Sequence, residues 1–219
     1  MQNEDTARLL DDLEDRVLAL GDRVESMLIR SAGLLQRPDS KGIMRLKEEE
    51  QHVRQMRRAI EKRGLALIGA HEPGNGGERS PVVLMEIASD LEMISDHAGQ
   101  IGRVDYVVLD RGFGNSLQRI DHLVDVVRRL LHQAVWAAAQ RDQVAAQAVL
   151  ARAAETSPLY ETLQQELRAL MRRRHRFASQ AVHLAHAVNQ LGLATEKVVS
   201  ICERVRFESR GGTDATSNV

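Results

Sequence analysis

Apolar residues recur along most of the chain at alternating steps of three and four, the period of a helix that buries one stripe. Leu13, Val17, Leu20, Val24 and Met27 set this spacing in a first predicted helix, which ends near Arg37-Pro38. Asp39 or Ser40 can cap a second, which carries Ile43, Leu46, Val53, Met56, Ile60 and Leu67 on one side. It stops at Glu72-Pro73-Gly74-Asn75-Gly76-Gly77, a turn-forming cluster. Ser80-Pro81 supplies a cap and a proline at the first helical position of a third helix, with Leu84, Ile87, Leu91, Ile94, Ala98 and Ile101 inward. Arg111-Gly112-Phe113-Gly114-Asn115 ends it.

The layout then repeats. Leu117, Ile120, Val124, Val127, Leu131, Ala134 and Ala138 predict a fourth helix, and Gln140-Arg141-Asp142 marks a turn before a fifth, expected from about Gln143 to Arg174. Thr156-Ser157-Pro158 interrupts the fifth as a kink or as a fresh N-cap, because proline removes a backbone donor and clashes with the preceding turn. A sixth follows Phe177, Ala181, Leu184, Val188, Leu191, Thr195, Val198, Cys202 and Val205. Nothing reads as a strand. The expected fold is all-α, two tandem antiparallel three-helix bundles in a quasi-twofold repeat, with repeats at 1–111 and 112–210 and a disordered tail at 211–219.

Composition narrows the classes of function. The 30 Lys and Arg nearly cancel the 31 Asp and Glu, and aromatics make up only 3% of the 219 residues, which argues against a general nucleic-acid binder. The single cysteine, Cys202, cannot form an intramolecular disulfide and lies on an apolar stripe, where an inert core thiol is expected. Met1 to Asp12 carries acids in place of a basic-then-apolar run, so no signal or transit peptide is read and a cytoplasmic location is expected. Phe177 to Thr195 contains no Asp, Glu, Lys or Arg, but Gln180, His183, His186, Asn189 and Gln190 argue for a buried helix of a bundle over a membrane span.

Glu92 and Asp96 stand one helical turn apart, so their carboxylates share a face, a like-charged arrangement that costs an isolated helix about 0.2–0.5 kcal/mol. A divalent cation would offset that cost, since hard ions favour oxygen ligands, with His97 or Glu50 from the neighbouring helix completing the shell. The alternative is a solvated acidic face that points away from the Leu91–Ile101 stripe, with Arg103 on the same outer side. Glu49 and Glu50 interrupt the stripe of the second helix between Leu46 and Val53; they either meet a neighbouring Arg or lie at the bundle rim, and the rim is expected.

The stretch Leu91-Glu92-Met93-Ile94-Ser95-Asp96-His97-Ala98 resembles the hallmark of the PhoU family of phosphate-signalling regulators. Asp39 to Ile60 and Asp142 to Leu163 are similar to the second helix of each PhoU repeat, with Tyr160-Glu161 fitting its later part. The resemblance implies a fold of two three-helix repeats. It also implies partners, a sensor histidine kinase and the ATPase subunit of a phosphate transporter, with the regulator damping the phosphate-starvation response and reaching the membrane only through them. Some family members hold iron or zinc clusters through these acids, so a divalent cation or iron or zinc at the first-repeat motif is the cofactor it implies. The second repeat departs from the hallmark: Asn189 and Leu193 stand where the acid and the aspartate belong. On the second helices the matching positions are Glu50 and Arg54, then Ala153 and Ser157.

Arg168, Arg172, Arg173, Arg174 and Arg176 form the sharpest charge cluster. Cations there complement a helix C-terminus, and they also suit docking to an acidic partner. His183 and His186, three apart, read as surface residues, since no Glu joins them in a zinc-protease arrangement. Catalysis finds no support: Gly74, Gly76 and Gly77 lack a following Lys-Ser or Lys-Thr, and no nucleophile elbow is visible. A metal-binding helical protein and a structural adaptor are the competing classes, and helices of this kind leave a homodimer open.

Overall fold

The computed structural model describes residues 2–70, 80–103, 113–173 and 178–210. Among them there are seven helices and no strand: α1 (Gln2–Gln36), α2 (Ser40–Ala70), α3 (Pro81–Gly102), α4 (Gly114–Gln140), α5 (Gln143–Ala154), α6 (Ser157–Arg173) and α7 (Ala178–Arg210). The expected tail at 211–219 and the boundary at 111/112 lie outside the described residues.

Every position of the α1 and α3 stripes named above is buried, and so is the α7 stripe from Ala181 to Val205. These three helices and α4 form a central layer. Helix α1 packs on α3 and α4, while α7 packs on the same two helices from the other side. Antiparallel pairing is visible in the side chains: Glu25 of α1 meets Arg128 of α4 at 2.6 Å while Gln36 meets Asp121. Likewise His97 of α3 meets Gln190 of α7 while Asp90 meets Ser200. At the α1–α4 crossing Gly21 is needed for close approach, since a Cβ there would lie 2.9 Å from Val135 Cγ1.

The outer helices flank this layer. Helix α2 leans on α1 and α3, α5 on α4 and α7, and α6 chiefly on α7. Asp39 caps α2, accepting from the backbone N–H groups of Lys41 at 3.2 Å and Gly42 at 3.0 Å. Asp142 caps α5 through Ala145 N–H at 2.9 Å, after a turn that places Arg141 in the left-handed region at φ 52°. The helix expected to run from Gln143 to Arg174 is two helices. Thr156 closes the first, its hydroxyl donating to Ala153 O at 2.6 Å, and its own carbonyl accepts from Leu159 N–H at 2.9 Å. Pro158 contributes no N–H in the first turn of α6, where none is needed, so the chain restarts instead of bending.

The rim expected for Glu49 and Glu50 is not where they lie. Glu50 is only 3% exposed, and Glu49 is drawn into the α1–α2 seam by Arg30 at 2.7 Å and Arg23 at 2.9 Å. Burial pushes Glu49 up, but the two guanidiniums outweigh it and hold its carboxyl below the ordinary range. No helix among the described residues is long and apolar enough to cross a membrane.

Candidate functional site

Glu50, Glu92 and Asp96, three of the four residues expected to share a cation, converge on the seam between α2 and α3, where they face guanidiniums. The α3 stripe turns Leu91 and Ile94 into the core, which rotates Glu92 and Asp96 toward the flank where α2 lies. Helix α2 presents Arg54 and Arg57, three residues apart and so on one face, to meet them. Arg57 Nε lies 2.6 Å from Glu92 Oε2, Arg54 Nη2 lies 2.8 Å from Asp96 Oδ1, and Arg54 Nε lies 3.8 Å from Glu92 Oε1. Arg57 also reaches outward to the half-exposed Glu61 at 2.9 Å. Glu92, 21% exposed, is therefore enclosed by cations, while Asp96, 40% exposed, is paired with Arg54 at the solvent edge of the seam.

One turn before Arg54, Glu50 enters the same seam. Its Oε2 pairs with Arg103 at the C-terminal end of α3. Oε1 is buried without a hydrogen-bond partner and lies against Gly99, where a Cβ would overlap it and sit 2.6 Å from Glu50 Cδ. Burial raises the Glu50 carboxyl above its ordinary range against the pull of Arg103, and Asp96 adds to the rise. Arg103 is thus a partner of Glu50 and not a member of an outer acidic face.

His97 does not turn toward these acids. Its Nδ1 is 2.7 Å from Gln190 Oε1 on α7, and Gln190 Nε2 in turn lies 3.4 Å from His186 Nε2. Of the four residues expected to share a cation, Glu50, Glu92 and Asp96 are brought to one seam and His97 is turned to another. Among the described residues no group of three or more His, Cys, Asp and Glu side chains could hold a metal ion. The donor set does not fit the cation that the resemblance implies. The carboxylates of Glu92 and Asp96 are already neutralised by guanidiniums, and the free oxygen of Glu50 is shut in against backbone.

Among the described residues no ion pair joins α6 to α7, the seam beside Asn189 and Leu193. Asn189 is exposed and Leu193 partly buried. Tyr160 takes the bridging role, its hydroxyl donating to Leu191 O at 3.1 Å and standing 2.7 Å from Thr195 Oγ1. Burial pushes the Tyr160 phenol up to about 12. Cys202 is buried and its thiol is likewise pushed up to about 12, chiefly by burial, so it is held as an unreactive thiol.

Arg168 and Arg172 are exposed on α6, with Arg168 donating to Gln164 Oε1 at 3.0 Å. Arg174 and Arg176 and the side chain of Arg173 lie outside the described residues. Sequence reasoning passed over Arg57 and Asp90. Asp90 is buried in the α3–α7 interface, accepting from Ser200 at 2.8 Å and from Arg204 at 3.0 Å, with Lys197 at 3.8 Å. The available signal was its place three residues after Ile87 and four before Ile94, at the edge of the buried stripe.

A model of the PhoU domain matches residues 17–104, the segment that holds α2, α3 and the ion-paired seam. A phosphate-specific transport system accessory protein PhoU homolog of Pseudomonas aeruginosa is 23% identical over 203 residues, covering 92% of this chain and 84% of the relative. A homolog of the same description from Pseudomonas putida is 24% identical, covering 92% of this chain and 79% of its own length. In fold, the crystal structure of PhoU from Pseudomonas aeruginosa superposes with a TM-score of 0.84 at 22% identity, covering 94% of this chain and 99% of that one. The phosphate transport system regulatory protein PhoU from Streptococcus pneumoniae does so with a TM-score of 0.83 at 18% identity, over 94% and 97% of the two chains. The chain thus carries a match to the PhoU domain over residues 17–104 and is similar along most of its length to PhoU homologs.

Proposed function

We propose that the chain is an accessory regulator of phosphate transport that acts in the cytoplasm by binding partner proteins and not by catalysis. The observation that carries this reading is the match along 92% of the chain to relatives described as phosphate-specific transport system accessory proteins. The finer reading names the partners as a sensor histidine kinase and the ATPase subunit of a phosphate transporter, with the chain damping the starvation response when phosphate is plentiful. The exposed guanidiniums of Arg168 and Arg172 suit contact with an acidic partner surface, and Arg173, Arg174 and Arg176 extend that cluster in sequence.

Two experiments test the reading. Deleting the gene in its own organism should switch on the phosphate-starvation response in phosphate-rich medium; an unchanged response refutes the regulatory role. Tagged chain incubated with membrane fractions from phosphate-rich and phosphate-starved cells should retain the kinase and the ATPase in one of the two conditions. Charge reversal of Arg168 and Arg172 to Glu should weaken that retention, and retention at the parental level would exclude the α6 cluster as the docking surface.

A further inference from the structure

The first-repeat acids are matched by guanidiniums in number and position. Glu92, Asp96 and Glu50 face Arg57, Arg54 and Arg103, drawn from the two helices that form the seam. A divalent ion bound among them would leave a surplus of positive charge in a partly buried seam. It would also have to displace ion pairs at 2.6 and 2.8 Å to reach its ligands. We infer that Arg54 and Arg57 are resident counter-ions which take over the role of a metal in this chain, so that the α2–α3 seam is a metal-independent clasp.

The guanidinium is suited to that role by its geometry. Its planar fork lets Arg54 address Asp96 through Nη2 and Glu92 through Nε, bridging two carboxylates that would otherwise repel along one helix face. Arg57 holds the other oxygen of Glu92 and ties it to Glu61 on the outer side of α2. A lysine carries the same charge as a compact point on a flexible stem, without the planar fork that matches two carboxylates at fixed positions. The inference goes beyond the regulatory reading and does not depend on it: it says that whatever this chain signals, the acid motif does not do so by taking up or releasing a divalent ion.

Thermal melts of the full chain, treated with EDTA and then supplied with excess Mn2+, Mg2+ or Zn2+, test the inference directly. The parent should melt at the same temperature in all conditions. Arg57→Gln and Glu92→Gln should each lower the midpoint by about 2–4 °C. The double variant should fall by less than the sum of the two single ones, because both remove the Arg57–Glu92 pair, while Arg57 also loses Glu61 and Glu92 also loses Arg54. Arg54→Lys should be less stable than the parent and more stable than Arg54→Gln, the signature of a bridging fork. The inference is overturned if Mn2+ or Zn2+ raises the midpoint of the EDTA-treated parent and Glu92→Gln with Asp96→Asn abolishes that rise. Additive effects of Arg57→Gln and Glu92→Gln would overturn it as well. Should Arg57→Gln fail to fold, the isosteric Glu92→Gln and the metal titration of the parent still decide it.

Discussion

The α2–α3 seam, which carries the acid motif, and the α6–α7 seam, beside Asn189 and Leu193, are held by opposite means. In the first, Glu50, Glu92 and Asp96 are pinned by Arg103, Arg57 and Arg54. In the second, where Asn189 and Leu193 replace the acids, one phenol bonds to a backbone carbonyl and a threonine. The contrast shows that a repeat can keep its helix packing while its seam chemistry changes completely. Burial of the apolar stripes holds both repeats together, leaving the polar layer free to change. Ion pairs in a partly exposed seam respond to salt and pH, whereas a neutral hydrogen bond responds to neither near pH 7.

The largest expected effect comes from the small residues on which each seam closes. Gly99→Ala puts a methyl group onto the buried Glu50 carboxyl and should destabilise by about 1–3 kcal/mol, since Glu50 must leave its place and abandon Arg103. Gly192→Ala meets Tyr160 Cε1 at 3.9 Å, an ordinary contact, and should stabilise by up to about 1 kcal/mol through helix propensity. Urea unfolding of the two variants gives both signs; equal effects would erase the contrast between the seams.

Removing charge comes next. Glu92→Ala with Asp96→Ala should cost about 1–2 kcal/mol, between the values for exposed and buried pairs, because Arg54 loses both its carboxylates and Arg57 keeps only Glu61. Asn189→Ala, on the exposed face of α7, should stay within about 0.5 kcal/mol of the parent. The first cost should shrink in high salt and the second should not, which chemical denaturation at two ionic strengths will show. Tyr160→Phe should cost about 0.5–1.5 kcal/mol for its lost hydrogen bonds, with no salt dependence, since Thr195 keeps its own bond to Leu191 O.

The smallest effect is a pH slope. Glu50 has a raised pKa in the folded chain, so the fold binds its proton more tightly than the unfolded state does. Its contribution favours folding below the unfolded carboxylate pKa and is lost as pH rises through the folded one. Glu49, with a lowered pKa, works in the opposite direction: its contribution is present above the unfolded value and is lost as pH falls through the folded one. Glu50→Gln should therefore flatten the decline in stability on the alkaline side of the ordinary carboxylate range. Denaturant midpoints measured across that range check this, and an unchanged slope would mean that Glu50 is not the group responsible.

Much of the fold was legible in the stripes. Leu13 to Met27 and Leu84 to Ile101 are buried at every position the period selects, because a helix with one apolar face has only one way to hide it. The break at Thr156-Pro158 was visible as a break, but whether the chain bends or restarts depends on which carbonyls find donors, and only the folded chain shows Thr156 O taken by Leu159. The candidate site was legible in part. Glu92, Asp96 and Glu50 were recognised as residues of interest, yet Glu50 looked like a rim residue, because Arg103, its partner, is 53 residues away in sequence.

What the sequence determined by itself is the helical class, the main buried stripes and the acid motif that resembles the PhoU hallmark, since all three depend on residues within a few turns of one another. Only the tertiary structure decided how the charges of the seam are paired. On an isolated helix Glu92 and Asp96 repel; in the folded chain α2 supplies Arg54 and Arg57 and the sign of the interaction reverses. Tertiary packing likewise turned His97 to Gln190 and buried Asp90 under Arg204. A local pattern says which face of a helix carries charge, but whether that charge is opposed or neutralised depends on the partner across the seam, whose distance and geometry no spacing along one chain records.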